Sequence, residues 1–241
     1  MIPTPAALLP ANEAERLRTL YHHDILQSLR EGVFDELAEL AAQLFNLPIS
    51  YISLTGEHES IYKAAYGFEP LPPQARVDML CAMAVKQNQV VVYHDLRAAI
   101  PTPADAAALA HALTHQAQFH AAAPLRLTEE HSIGALCLVD SQPREFSLAE
   151  QQTLDYLAGV VSLTIAVRHV CRNHPALGEA RWEVVGAQLR EEISALSALV
   201  RYLKDRYGRP VPIPGEVLQP VARRLTDLRN LLEAYQYGGL P

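Results

Sequence analysis

Apolar residues along this chain fall into two spacings, and the switches between them mark out its elements. Over residues 12–29, Leu17, Leu20, Tyr21, Ile25 and Leu29 recur at steps of three and four, which predicts an amphipathic helix. A second helix is predicted over 33–45, with Phe34, Leu37, Leu40, Leu44 and Phe45 on one face; Asn46-Leu47-Pro48 ends it. Residues 49–54 and 60–66 then read as β-strands around a turn at 55–59, with Gly67 closing the hairpin. The middle of the chain predicts a proline loop at 70–73, a short helix over 78–86, a short strand over 90–93, a loop over 94–103 and an alanine-rich helix over 104–114. Two more strands, 119–127 and 132–139, flank the polar segment Thr128-Glu129-Glu130-His131. Pro143 breaks the chain. Ser147, three residues before Glu150, has the spacing of a capping box and opens a helix running to about residue 170.

Residues 173–178 look like a joint, and two further seams come after it. Trp182, Val185, Leu189, Ile193, Leu196, Val200 and Leu203 are spaced by threes and fours within 181–207, in a near-heptad pattern. Gly208 and the prolines at 210, 212 and 214 form a stop and a rigid connector. Val217, Val221, Leu225, Leu228, Leu232 and Tyr235 make the second seam, ended by Gly238-Gly239. The two seams predict an antiparallel helical hairpin whose apolar faces are covered by each other, by the preceding helices or by a second copy of the chain.

Composition narrows the class. At 241 residues, 49% hydrophobic and 20% charged, the chain suits a folded domain with a helical extension. A formal charge of -7 argues against a nucleic-acid partner, since phosphate binding calls for a basic surface. Cys81, Cys137 and Cys171 make no CxxC pair, and together with the lack of a signal peptide they predict a reducing, cytoplasmic setting. No apolar run looks long enough to cross a membrane. No GxGxxG, P-loop or Gly-x-Ser-x-Gly pattern occurs.

Two segments carry a family resemblance. FDELAELAAQLFNLPISYISL leads a helix through a proline into a first strand, and FHAAAPLRLTEEHSIGALCLVDSQPREFSLAEQQTLDYLA gives hairpin, loop and helix. Together they resemble the GAF domain family. The resemblance implies an α+β fold: an antiparallel sheet between a helical layer and a layer of loops and helices that forms a pocket. It places a tail at 1–11, a GAF-like domain at 12–172 and a C-terminal helical hairpin at 178–241.

The resemblance also directs attention to particular residues. Leu80-Cys81-Ala82-Met83 is similar to a pocket segment in which a histidine stands where this chain has Met83. Cys81 is therefore a candidate pocket thiol, against the plainer alternative of an inert buried residue. His120 stands at a strand position usually aromatic in the family, and Tyr93, His94 and Phe119 complete the candidate ligand-binding set. His111 and His115, four apart, share a helix face; without HExxH spacing they read as a solvated edge, and no metal site is expected. The small residues Ala121-Ala122-Ala123 and Gly134-Ala135 leave room on two strands, either for a ligand or for a close-packed helix.

These features predict a non-catalytic, cytoplasmic sensory module that binds a small molecule and signals through dimerisation or partner docking by its C-terminal helices, with no membrane or nucleic-acid partner. Two alternatives share the fold: a thiol-based redox sensor or enzyme using Cys81, and an interaction scaffold with a filled pocket. No particular cofactor is indicated.

Overall fold

The computed structural model describes residues 4–26, 31–173 and 178–237. Leu29, Pro175 and the Gly238-Gly239 stop lie outside them. In chain order the elements are α1 (Glu13–His22), α2 (Gly32–Phe45), β1 (Ile49–Thr55), β2 (Glu59–Tyr66), β3 (Gln74–Ala75), α3 (Cys81–Gln87), β4 (Val91–Tyr93), α4 (Ala106–Thr114), β5 (Phe119–Arg126), β6 (Ser132–Asp140), α5 (Leu148–Arg172), α6 (Gly178–Tyr207) and α7 (Gly215–Tyr237). A six-stranded antiparallel sheet runs in the order β3-β2-β1-β6-β5-β4.

The expected α+β architecture is present, with three local differences. The first helix stops at His22, and Asp24 turns into the left-handed region at φ 46°. Ile25 is buried beyond that turn, so the apolar spacing ran on past the end of the helix. The helix predicted over 78–86 splits into a 3₁₀ turn, Arg76–Asp78, and α3. The proline loop leads into β3, whose two residues are too few to show an alternation.

Strand alternation sends neighbouring residues to opposite sides of the sheet. Ile52 and Leu54 of β1, Phe119, Ala121, Ala123 and Leu125 of β5, and Leu136 and Leu138 of β6 meet the helical layer in one continuous apolar cluster. Tyr51, Ala122, Ala135 and Cys137 face the other way, toward α3. A bulge at β1–β2 pairs Ile52 with Ala64 and Ser53 with Tyr62, leaving Lys63 as the extra residue. Lys63 then reaches the helical side, 5.6 Å from the centre of the Phe34 ring, while Tyr62 stays on the opposite side.

The chain ends of these elements have clear local causes. Asn46 ends α2 in the left-handed conformation at φ 54°. The capping box of α5 forms: the Glu150 N–H donates to Ser147 Oγ at 3.3 Å, and the Ser147 N–H donates to Glu150 Oε2 at 2.7 Å. The fully buried Glu150 also pairs with Arg144 Nη2 at 2.7 Å. Gly134 lets β6 lie close to β1, since a Cβ there would sit 1.9 Å from the Ser53 carbonyl oxygen.

Both C-terminal seams turn inward. Val185, Leu189, Ile193, Val200, Val221 and Leu225 are all buried in the same cluster as the sheet's helical face. Helix α6 packs on α2, and α7 packs on α5, as well as on each other. The preceding helices are thus the main cover for the seams. Helix α5 corrects one sequence expectation: by length and composition it is apolar enough to cross a membrane. With 61% of that window buried inside the molecule, it has the packing of a core helix.

Candidate ligand cavity

A cavity of about 260 Å³ opens on the side of the sheet away from the long helices. Its floor comes from β1, β2, β5 and β6 through Ile49, Tyr51, Tyr62, His120 and Val139. Its walls come from Phe68, Asp78, Met79 and Leu80 on one side and from His111, His115 and Ala117 of the α4 region on the other. Tyr51, Tyr62 and Phe68 stand edge to face, with centroids 5.2 to 6.0 Å apart.

His120 is the buried polar group of this wall, at 3% exposure. Its Nε2 lies 3.3 Å from the Tyr51 hydroxyl, and its Nδ1 has no hydrogen-bond partner. Burial lowers its pKa to about 4, so the imidazole is neutral at neutral pH. Burial also pushes the Tyr51 and Tyr62 hydroxyls up, keeping both phenols protonated.

The five candidate residues are not brought together. His120 lines the cavity. Phe119, its neighbour in the strand, points to the helical layer and packs on Phe146 with centroids 5.6 Å apart. Strand parity puts these two residues on opposite sides, so a pocket can hold one of them only. Tyr93 sits beside His120, ring centroids 6.4 Å apart, but its hydroxyl is committed to Asp105 Oδ2 at 2.8 Å. His94 pins the loop before α5: its Nδ1 accepts from the Phe146 N–H at 3.1 Å, and its carbonyl accepts from the Arg144 N–H at 2.9 Å.

Cys81 is fully buried and is not part of the cavity lining. A hydrogen bond with Cys137 holds its thiol below the usual range, while burial pushes Cys137 well up. Cys81 and Ala84 of α3 pack against Ala122, Ala135 and Cys137. The room left by the small residues is therefore taken by a close-packed helix, and the cavity lies to one side of it. Ala121 and Ala123 face the helical layer.

His111 and His115, expected as a solvated helix edge, form the cavity rim with rings 4.7 Å apart. Phe68, Asp78 and Met79 lie in irregular backbone next to a 3₁₀ turn, where no periodicity marks a facing. Among the described residues no group of three or more His, Cys, Asp or Glu is arranged to hold a metal ion.

Residues 27–166 match the GAF domain family, more than half of the chain. The chain belongs to that family. Over 227 residues, 92% of its length, it is 29% identical to the cyclic di-GMP phosphodiesterase PA2567 of Pseudomonas aeruginosa, and it spans 36% of that relative's length. Similar solved structures include the GAF domain of an Acinetobacter phosphoenolpyruvate-protein phosphotransferase, at 18% identity and a TM-score of 0.47 over 67% of this chain and 97% of that one. A type II free methionine-R-sulfoxide reductase from Thermoplasma acidophilum is also 18% identical, with a TM-score of 0.45 over 57% of this chain and 95% of that one.

The GAF sheet is tied to α6 by a polar node on its helical side. Glu31, just before α2, accepts from Arg168 Nε of α5 and from Trp182 Nε1 of α6, both at 2.6 Å. Lys63 of β2 lies 3.8 Å from the same carboxylate. Tyr62 in the cavity floor and Lys63 at the node are consecutive residues of one strand.

Proposed function

We propose that this chain is a GAF sensory and regulatory module that takes up a small molecule between its sheet and the α3–α4 layer. Occupancy is passed to α6 and α7, whose packing then acts on a signalling partner or an attached catalytic region. The observation that carries this is the open cavity with a buried, half-unpaired histidine in its lining; an unpaired buried polar atom is costly unless something meets it. The cavity also favours this reading over a scaffold with a filled pocket.

The similarity to a cyclic di-GMP phosphodiesterase extends over 92% of the chain, beyond the GAF match, so the region shared with that enzyme takes in most of the helices after the domain. This supports a regulatory unit made of sheet and helices together, working in the cytoplasm on second-messenger turnover. Because the apolar seams are covered within the chain, docking of a partner or a second copy would use the polar outer faces of α6 and α7. The redox alternative requires an exposed Cys81, whereas its sulfur is buried under α3.

Native mass spectrometry of the purified chain tests the proposal. The expected result is a non-covalent adduct that leaves on denaturation, or uptake of one from a small-molecule library. Hydrogen exchange of α6 should slow when the adduct is present. A chain that takes up nothing counts against the sensory role.

A further inference from the structure

The chemistry of the cavity wall selects among ligands. The class of molecule it points to rests on the proposed sensory role and names what that role would sense. One side is aromatic, with Tyr51, Tyr62 and Phe68 offering ring surface to a flat guest. The polar side is His120, neutral at neutral pH, with Nε2 near the Tyr51 hydroxyl and Nδ1 unpartnered. A neutral imidazole has one nitrogen that donates and one that accepts, so it pairs with a single polar edge rather than with a charge.

A lysine or arginine is what the wall lacks. Among the described residues no lysine or arginine lines the cavity, and the acidic residue at its edge is Asp78. An anion entering here would give up its water with no lysine or arginine to replace it and would face a carboxylate. Size points the same way: 260 Å³ is just under the range of roughly 300–1,000 Å³ typical of ligand pockets. It suits one or two fused rings and is too small for a dinucleotide.

We propose that the cavity binds an uncharged, flat aromatic or heteroaromatic molecule of one or two rings, whose ring surface meets Tyr51, Tyr62 and Phe68 and whose hydrogen-bonding edge pairs with His120. Phosphorylated nucleotides, cyclic di-GMP included, are not its ligands. Any control over cyclic di-GMP turnover would then be exerted by a chemically unrelated signal.

Calorimetric titration of the full chain with indole, indole-3-carboxylate and cyclic di-GMP at pH 7 tests this. Indole should bind, its carboxylate at least about tenfold more weakly, and cyclic di-GMP not in this cavity. His120→Leu should weaken indole by about tenfold, the effect of one lost hydrogen bond. Ala117→Phe, which fills the cavity, should abolish binding, with circular dichroism confirming that both variants fold. Equal or tighter binding of the carboxylate, lost in Ala117→Phe, overturns the ligand class and leaves the sensory role standing. Indole binding that neither variant alters places it elsewhere and overturns the assignment. No uptake of either probe, and no adduct by native mass spectrometry, overturns both.

Discussion

On the helical side of the sheet, Ile52, Leu54, Leu136 and Leu138 are fully buried against α2 and α5 in a cluster that continues through α6 into α7. One residue along in the same strands, Tyr51, Ala135 and Cys137 face a thinner cover in which α3 fits closely at one end and a cavity remains at the other. The strands are shared, so the difference lies in what each side packs against. Long helices with continuous apolar faces close directly against the sheet on one side. Short helices and irregular segments leave some of it open on the other. Stability therefore resides mainly on the helical side, and selectivity on the side of His120. The helices after the GAF domain share the stabilising core, which gives the proposed signal a physical route: whatever shifts the sheet shifts their packing.

The largest effect should come from breaking the helical side at a point far from the sheet. Leu189 on α6 is 1% exposed within the shared core. Leu189→Ala should cost about 3 kcal/mol, the usual range for a buried leucine truncation. Urea unfolding followed by circular dichroism and by fluorescence of Trp182, the sole tryptophan, should show one coincident transition shifted to lower denaturant. Two separate transitions would show that α6 and α7 fold apart from the sheet and would break the comparison.

The next effect isolates the cavity side. The pKa of His120 in the folded protein is about 4, below its ordinary 6.5. Between these values the unfolded chain holds the extra proton, so the stability tied to the neutral ring is complete above pH 6.5 and is lost as pH falls toward 4. A gap of this size amounts to about 3 kcal/mol at most. The stability difference between the protein and His120→Leu should therefore change over that window and stay level above it. A difference that is level from pH 7 to pH 4 would show that His120 is not held neutral.

The sequence shows these two sides unequally. Periods of three and four located α2, α5 and both seams, because long helices repeat their apolar positions many times. Capping chemistry at Ser147 and Glu150 was equally plain, being a local contact at fixed spacing. His120 was singled out by the family resemblance, and strand parity separates it from Phe119. The remaining walls were not readable. Asp78, Met79 and Phe68 lie where the backbone has no period, and nothing in the spacing of His111 and His115 tells a cavity rim from a solvated edge. The small residues of β5 and β6 announced free space truthfully but could not say that α3 would occupy it.

The smallest expected effect gives the finest comparison, because it adds the same side chain on each side. Ala121 of β5 is fully buried among the helices, where extra methyl groups must displace close-packed neighbours. Ala121→Leu should cost about 2 kcal/mol, as overpacked cores do. Ala117 lines the cavity, where the added atoms enter open space and cover apolar surface. Ala117→Leu should change stability by no more than about 0.5 kcal/mol while reducing ligand uptake. Thermal and urea unfolding of the two variants side by side give the answer. Equal costs would mean that the cavity side is as tightly packed as the helical side, and the space assigned to a ligand would then belong to the protein's own side chains.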